Sequence, residues 1–257
     1  MAGTSKTKKP KSEKNRTQDT SKLKTQIALV TGGSRGLGRA IAEALAAEGC
    51  KVVITGRDER ALSETSGAIT SEGGAIFARH CDVRNPESVA TLATAIRKQF
   101  GRIDILVNNA GIAHALASVD QMSIEAWREV IDTNLTGLFL VTHSVLPLMH
   151  AGGTIINNLS ISAKVVFPGM AAYNASKHGA LGFTDTLREE LRPRGIRVIA
   201  LLPGATDTDI WEQFWPQAPR EKMMSRESIA AAVIAALKLP ANATVSQIEI
   251  TPTGGAL

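Results

Sequence analysis

The sequence predicts an α/β fold, a parallel sheet doubly wound with helices on both faces, and three observations predict it. A short apolar run at residues 26–31 ends in a glycine-rich turn, TGGSRGLG over residues 31–38, that opens directly onto helical spacing. Strand and helix signals then alternate along the rest of the chain. No internal repeat and no Pro- or Ser-rich linker interrupts residues 25–257, so the 257-residue chain reads as one large domain able to bury a sizeable core after a short tail.

Each element has its own signal. In the first helix Leu37, Ile41, Ala44 and Leu45 keep helical spacing, and Gly49 stops it. Residues 51–55 (KVVIT) form the second strand, completing a β-α-β unit, and a polar helix follows over about 58–72. A strand at 75–80, a helix after Pro86, a strand at 103–107 and a long helix from about 123 to 149 continue the pattern. Strands at 154–158 and 196–202 flank a helix that carries Tyr173. After Pro203 the pattern loosens into TDTDIWEQFWPQAPREKMMS, which holds Trp211, Phe214, Trp215, Met223 and Met224. That composition suits an adaptable apolar lid, and equally a surface helix packing its aromatics inward. A helix near 227–239 and a strand near 245–250 close the domain.

The charge is unevenly placed. Residues 1–24 hold eight basic residues and two acids, a tail charge of +6, so the formal net charge of +5 leaves about −1 on residues 25–257. Rich in Lys, Ser and Thr and poor in apolar residues, this tail is expected to be disordered. A basic arm could touch an anionic partner, but a solvated tail is the commoner case, and nucleic acid is not the expected ligand. No apolar run of signal or transmembrane length lies near either end, and no metal-ligand set is singled out. Cys50 and Cys81 border predicted strands and fit reduced thiols in a cytoplasmic protein.

Two stretches carry chemistry. A glycine turn between a first strand and a helix presents backbone N–H groups to a phosphate. Gly32, Gly36 and Gly38 in that turn, with Ser34, Arg35 and Leu37, are the candidate cradle. The acid that would bind ribose hydroxyls at the end of the second strand is missing: the sequence reads ITGRD, with Gly56 in its place and Arg57 after it. Arg35 and Arg57 are placed to meet a 2′-phosphate, which argues for NADP(H) over NAD(H). The second stretch is SISAKVVFPGMAAYNASK at 160–177, which contains Tyr173, the single tyrosine of the chain, four residues before Lys177. That spacing puts both side chains on one helix face. A phenol ionises near pH 10, and an ammonium beside it favours tyrosinate and brings it toward neutrality. The spacing alone favours an amphipathic helix with a half-buried tyrosine, and the rest of the chain decides.

Taken in order, TGGSRGLG, Asp82-Val83, NNAG at 108–111, Asn134 in TNLTG, Ser160, YNASK at 173–177 and Pro203-Gly204 make residues 25–255 resemble the classical short-chain dehydrogenases/reductases. Ser160 precedes Tyr173 by 13 residues, as in that family. The resemblance implies a Rossmann-type domain with a seven-stranded sheet. It implies Tyr173 as acid/base, Lys177 as its electrostatic partner and ribose ligand, Ser160 as donor to the substrate oxygen, and Asn134 as support of a proton relay. It lays Asp82 and Val83 along adenine, and Asn109, Ala110 and Gly111 beside ribose and nicotinamide. Pro203, Gly204, Thr206 and Thr208 would approach the nicotinamide amide. Asp82 could also cap the helix at Pro86, and Ser162 is a less suitable catalytic serine. His114, Trp211, Phe214 and Trp215 join Ser160 as substrate candidates.

The expected activity is hydride transfer between NADP(H) and a carbonyl or secondary alcohol, with an apolar ketone, aldehyde or 3-oxoacyl compound as the substrate. A homodimer or homotetramer is expected. The rival from another class is a non-catalytic NADP-sensing or scaffolding protein with a basic interaction tail. The full set Asn134, Ser160, Tyr173 and Lys177 argues against it, since a binding module has no need of all four. The stretch HAGGT at 150–154 offers little to dock an acidic carrier protein, although Arg194 remains. The C-terminal stretch also lacks the family's usual VDGG ending, which bears on a second subunit interface.

Overall fold

The computed structural model describes residues 23–255. Its seven strands are β1 (Ile27–Thr31), β2 (Lys51–Gly56), β3 (Ala75–His80), β4 (Ile103–Asn108), β5 (Met149–Asn158), β6 (Arg197–Pro203) and β7 (Gln247–Ile250). They form one sheet in the order β3-β2-β1-β4-β5-β6-β7 with every pair parallel. A parallel sheet covered on both faces needs strands that are apolar on both sides. That is why β1 reads IALVT and is buried throughout.

The helices are α1 (Gly36–Ala47), α2 (Glu59–Ser71), α3 (Pro86–Phe100), α4 (Ile124–Ile131), α5 (Gly137–Val145), α6 (Ala171–Leu191), the short α7 (Trp211–Phe214) and α8 (Arg226–Leu237). Alternate strand residues serve opposite faces. Val30, Val107, Ile156 and Ile199 pack with Ile41 and Leu45 of α1 and Val233 of α8. Leu29, Leu106, Ile155 and Val198 pack with Ile96 of α3, Val145 of α5 and Leu187 of α6. The strand order turns back between β1 and β4, so their carboxyl ends open a crevice of the kind in which such sheets bind ligands.

The doubly wound sheet is as expected, and the differences are local. The expected helix over 123–149 is broken in two by a π-helical turn at Asp132–Thr136, and a 3-10 turn at Leu146–Leu148 leads into β5, which begins at Met149. Asn134 sits in the widened turn and bonds both backbone groups of Ile112, a tertiary demand that helical periodicity does not register. Asp82 does not cap α3. Asn85 does, its Oδ1 accepting from the N–H groups of Glu87 and Ser88. Most of the expected tail lies outside the described residues, but Leu23 belongs to the folded body, buried in the α1 core with its carbonyl facing the Cys50 thiol.

Candidate active site

The glycine turn is shaped by close approach. Gly32 and Gly36 adopt φ of +61° and +55°, a region that disfavours side chains. At Gly38 a Cβ would lie 2.2 Å from the Gly32 carbonyl oxygen and 2.3 Å from Asn109 Nδ2. Asn109 Nδ2 donates to the carbonyls of Thr31 and Gly32 at 3.0 and 3.1 Å, and the N–H groups of Asn109 and Ala110 share Thr31 Oγ1. No side chain caps α1, so its first amides remain for an anion in the crevice. Gly38→Ala should therefore destabilise the fold by about 2 kcal/mol and lower the melting temperature by roughly 5 °C. An unchanged melting curve would mean that the turn gives way freely.

Beyond the turn, Gly56 ends β2 in the space an acid would need. A Cβ there would lie 3.0 Å from Ser34 Oγ. Arg35 and Arg57 are exposed, line the cavity, and form no ion pair with the described residues. Arg84 is different. Its Nε and Nη2 bind the Asp82 carboxylate at 3.0, 3.1 and 2.6 Å, and its Nη1 reaches Glu129. That guanidinium holds the Asp82 carboxyl below the ordinary carboxylate range. Val83 packs against Gly137 at the start of α5 and lines the same wall.

At the far end the predicted catalytic residues converge. Tyr173 and Lys177 are buried, one turn apart on α6, with Lys177 Nζ 5.4 Å from the Tyr173 ring centroid. Ser160 follows β5. Its Oγ accepts from the Ser162 N–H and donates to Ser162 Oγ at 3.2 Å, so Ser162 orients it. Lys177 Nζ donates to the Asn158 carbonyl at 3.2 Å. Asn134 accepts from Ile112 N–H at 2.8 Å and donates to Ile112 O and to Ser176 Oγ, while Ser176 Oγ donates to the Tyr173 carbonyl. Gly111 lets these groups close in: a Cβ on it would lie 3.3 Å from Asn134 Oδ1 and 3.7 Å from Lys177 Nζ.

The electrostatics differ from the sequence expectation. Burial pushes the Tyr173 phenol up to about 12, with the Ser160 hydroxyl pulling weakly the other way. Burial pushes Lys177 down to about 8. Loss of water dominates both groups, so the lysine does not draw the phenol toward neutrality in the protein alone. The protein therefore presents a protonated phenol at neutral pH beside an ammonium that loses its proton easily.

One cavity of about 960 Å³ runs from Gly32, Arg35 and Arg57 past Asp82, Asn109 and Ala110 to Ser160, Tyr173 and Lys177. Pro203, Gly204, Thr206 and Thr208 line it as well, as do Ser34, Gly36, Leu37, Val83 and Gly111. Gly38 and Asn134 are not among its lining residues; they stand behind Gly32 and Gly111 respectively. The mouth is apolar, with Leu116, Phe167, Met170, Trp211, Phe214 and Trp215. Phe214 packs onto the cluster of Ala113, Met170 and Tyr173, and Trp211 Nε1 donates to the Thr206 carbonyl at 2.8 Å. The aromatics thus both line the cavity and pack inward. Gln213, which the sequence did not flag, accepts from the Ala113 N–H at 2.8 Å and ties α7 to the opposite wall.

His114 is buried outside the lining, its Nδ1 on the Ala115 carbonyl, and it does not join the substrate end. Arg194 is spent on the carbonyls of Leu146 and Met149. Arg84 and Asn158, also unflagged, line the cavity. Among the described residues no group of His, Cys, Asp or Glu is arranged to hold a metal ion, and no helix is long and apolar enough to cross a membrane.

Known proteins are similar to this chain in sequence and fold. A family profile described as short chain dehydrogenase matches residues 26–219. A 3-oxoacyl-[acyl-carrier-protein] reductase from Synechocystis is 44% identical over 193 residues, 74% of this chain and 78% of that protein. The crystal structure of a short chain dehydrogenase from Burkholderia cenocepacia in complex with NADP superposes with a TM-score of 0.82 at 31% identity, covering 91% of this chain and 98% of that one. A 3-ketoacyl-(acyl-carrier-protein) reductase from Brucella melitensis complexed with NADH gives 0.81 at 30% identity, covering 89% and 98%.

Proposed function

Because the chain belongs to the short chain dehydrogenase family of oxidoreductases, we propose that it is an NADP(H)-dependent enzyme interconverting a carbonyl and a secondary alcohol. The observation that carries this reading is the convergence of Ser160, Tyr173 and Lys177 at one end of a cavity whose other end is an uncapped glycine turn. When bound, the nicotinamide exchanges a hydride with the substrate carbon. Tyr173 gives its proton to the carbonyl oxygen, Ser160 donates a hydrogen bond to that oxygen, and Lys177 holds positive charge near the phenol. Asn134, bound to Ile112 and Ser176, fixes the widened turn behind Gly111 and supports the relay that returns the proton.

The cavity fits the cofactor on its own observations: left-handed glycines that leave room for a diphosphate, an uncapped helix start, and the guanidiniums of Arg35 and Arg57, which form no ion pair with the described residues, in the same lining as Gly56. These cations, and the Ser34 hydroxyl standing where a ribose-binding acid would project, favour NADPH over NADH. Arg57→Ala should raise the NADPH dissociation constant by about tenfold or more and leave that of NADH within about twofold. Equal weakening of both would count against a 2′-phosphate contact.

The apolar mouth formed by Leu116, Phe167, Trp211 and Phe214 supports an apolar ketone, aldehyde or 3-oxoacyl compound as substrate. A homodimer or homotetramer is supported by Phe139, exposed on α5, stacked on His143 and edge-on to Phe183 of α6. The free, buried Cys50 and Cys81 suit a reducing cytoplasm. A panel of carbonyl compounds assayed with NADPH and NADH tests the activity; no turnover on any member would sink the enzymatic reading.

A further inference from the structure

We propose that the Asn158 side chain is the positioning group that locks the glycine turn through Asn109; the inference rests on the cofactor reading above. Asn158 is the last residue of β5. Alternation sends the preceding Asn157 to the α6 side, where its Nδ2 donates to Thr184 Oγ1 and its Oδ1 accepts from Asn108 Nδ2. Asn158 falls on the opposite face, with Ile156 and the α1 core. There its Nδ2 donates to Asn109 Oδ1 at 2.9 Å.

That bond decides how Asn109 sits. The Asn109 amide has its nitrogen committed to the Thr31 and Gly32 carbonyls, and its nitrogen lies where a Gly38 Cβ would be. Its oxygen takes one hydrogen bond from a side chain, that of Asn158. Without that donor the oxygen loses the one side-chain partner that fixes the plane of the amide, and the bonds to the Thr31 and Gly32 carbonyls are left to hold it alone. An apolar residue at 158 would satisfy strand burial equally well. An amide there serves Asn109, and through it the backbone that presents the turn to a diphosphate.

The same residue touches the other end of the site differently. Its backbone carbonyl, which any substitution keeps, accepts from Lys177 Nζ. Changing the side chain should therefore act on cofactor affinity first and on the proton-transfer end least.

The test is a direct NADPH fluorescence titration of the full chain, with steady-state kinetics alongside. Asn158→Leu, close in size and without a donor, should raise the NADPH dissociation constant and the cofactor KM by about five- to tenfold, with a much smaller change in kcat. Asn158→Asp, equal in shape but setting a charged oxygen against the Asn109 oxygen, should weaken NADPH further than Asn158→Leu does. Combining Asn158→Leu with Asn109→Ala should cost little more than Asn109→Ala alone. NADPH binding within about twofold of wild type in both Asn158 variants, losses that simply add in the double variant, or a fall in kcat at unchanged affinity would each overturn the inference. Absence of NADPH binding by the wild-type chain would overturn the cofactor reading together with it, so the two failures are told apart by the wild-type titration.

Discussion

Replacing Tyr173 by phenylalanine is expected to lower carbonyl-dependent NADPH oxidation by about a thousandfold, with NADPH binding retained. The ring is buried against Ala113 and Met170, with Phe167, Ile210 and Phe214 packed around them, and phenylalanine keeps those contacts. What disappears is the hydroxyl. Ser160 cannot take over, because an aliphatic hydroxyl is a much weaker acid than a phenol and its oxygen is already tied to Ser162. The raised phenol also sets a direction. With the group pushed up to about 12, the free protein holds it protonated across the neutral range, ready to donate in carbonyl reduction. Alcohol oxidation needs the tyrosinate and should gain as pH rises. Progress curves at 340 nm with a competent carbonyl, together with NADPH titration, check both halves; turnover near the wild-type rate would remove Tyr173 from the proton path.

Local patterns carried most of the architecture into the sequence. A parallel sheet buried on both faces forces apolar strands, and the turns between strand and helix demand glycine or caps, so β1, the glycine turn, α1 and β2 could be read directly. The Tyr173–Lys177 pairing was likewise visible in a four-residue spacing. Contacts between distant segments left no such trace. The π turn at Asn134 exists because Ile112, 22 residues away, takes both ends of its amide. Arg84 binds the acid two residues before it across the turn ahead of α3. His114 reads as a polar residue near the substrate, yet its segment turns it into the interior. The Tyr173 phenol shifts against the expected direction for a related reason: spacing shows which charges are near, while burial, the larger effect here, is a property of the whole fold.

Burial also makes Lys177 a stability switch. The ammonium ionises at about 8 in the folded chain against 10.5 when exposed, so between those values the unfolded chain binds more protons than the native one. Stability contributed by this group therefore rises with pH through that window. Below pH 8 the folded protein bears the full cost of burying the charge, about 3 kcal/mol for a shift of this size. Lys177→Met fills similar space without a charge. It should melt higher than wild type at pH 7, and the gap should close by roughly 2 kcal/mol on going to pH 9.5. Tyr173 acts in the opposite sense, because its pKa is raised on folding, but its contribution is lost only as pH climbs beyond 10, outside the window measured. The same variant should be nearly inactive, since the positive charge beside the phenol is gone. A gain in stability joined to a loss of turnover is what a charge buried for chemistry predicts. Melting temperatures of both proteins at half-unit pH steps decide it: a difference that does not change with pH would mean that the ammonium is not desolvated in the folded chain.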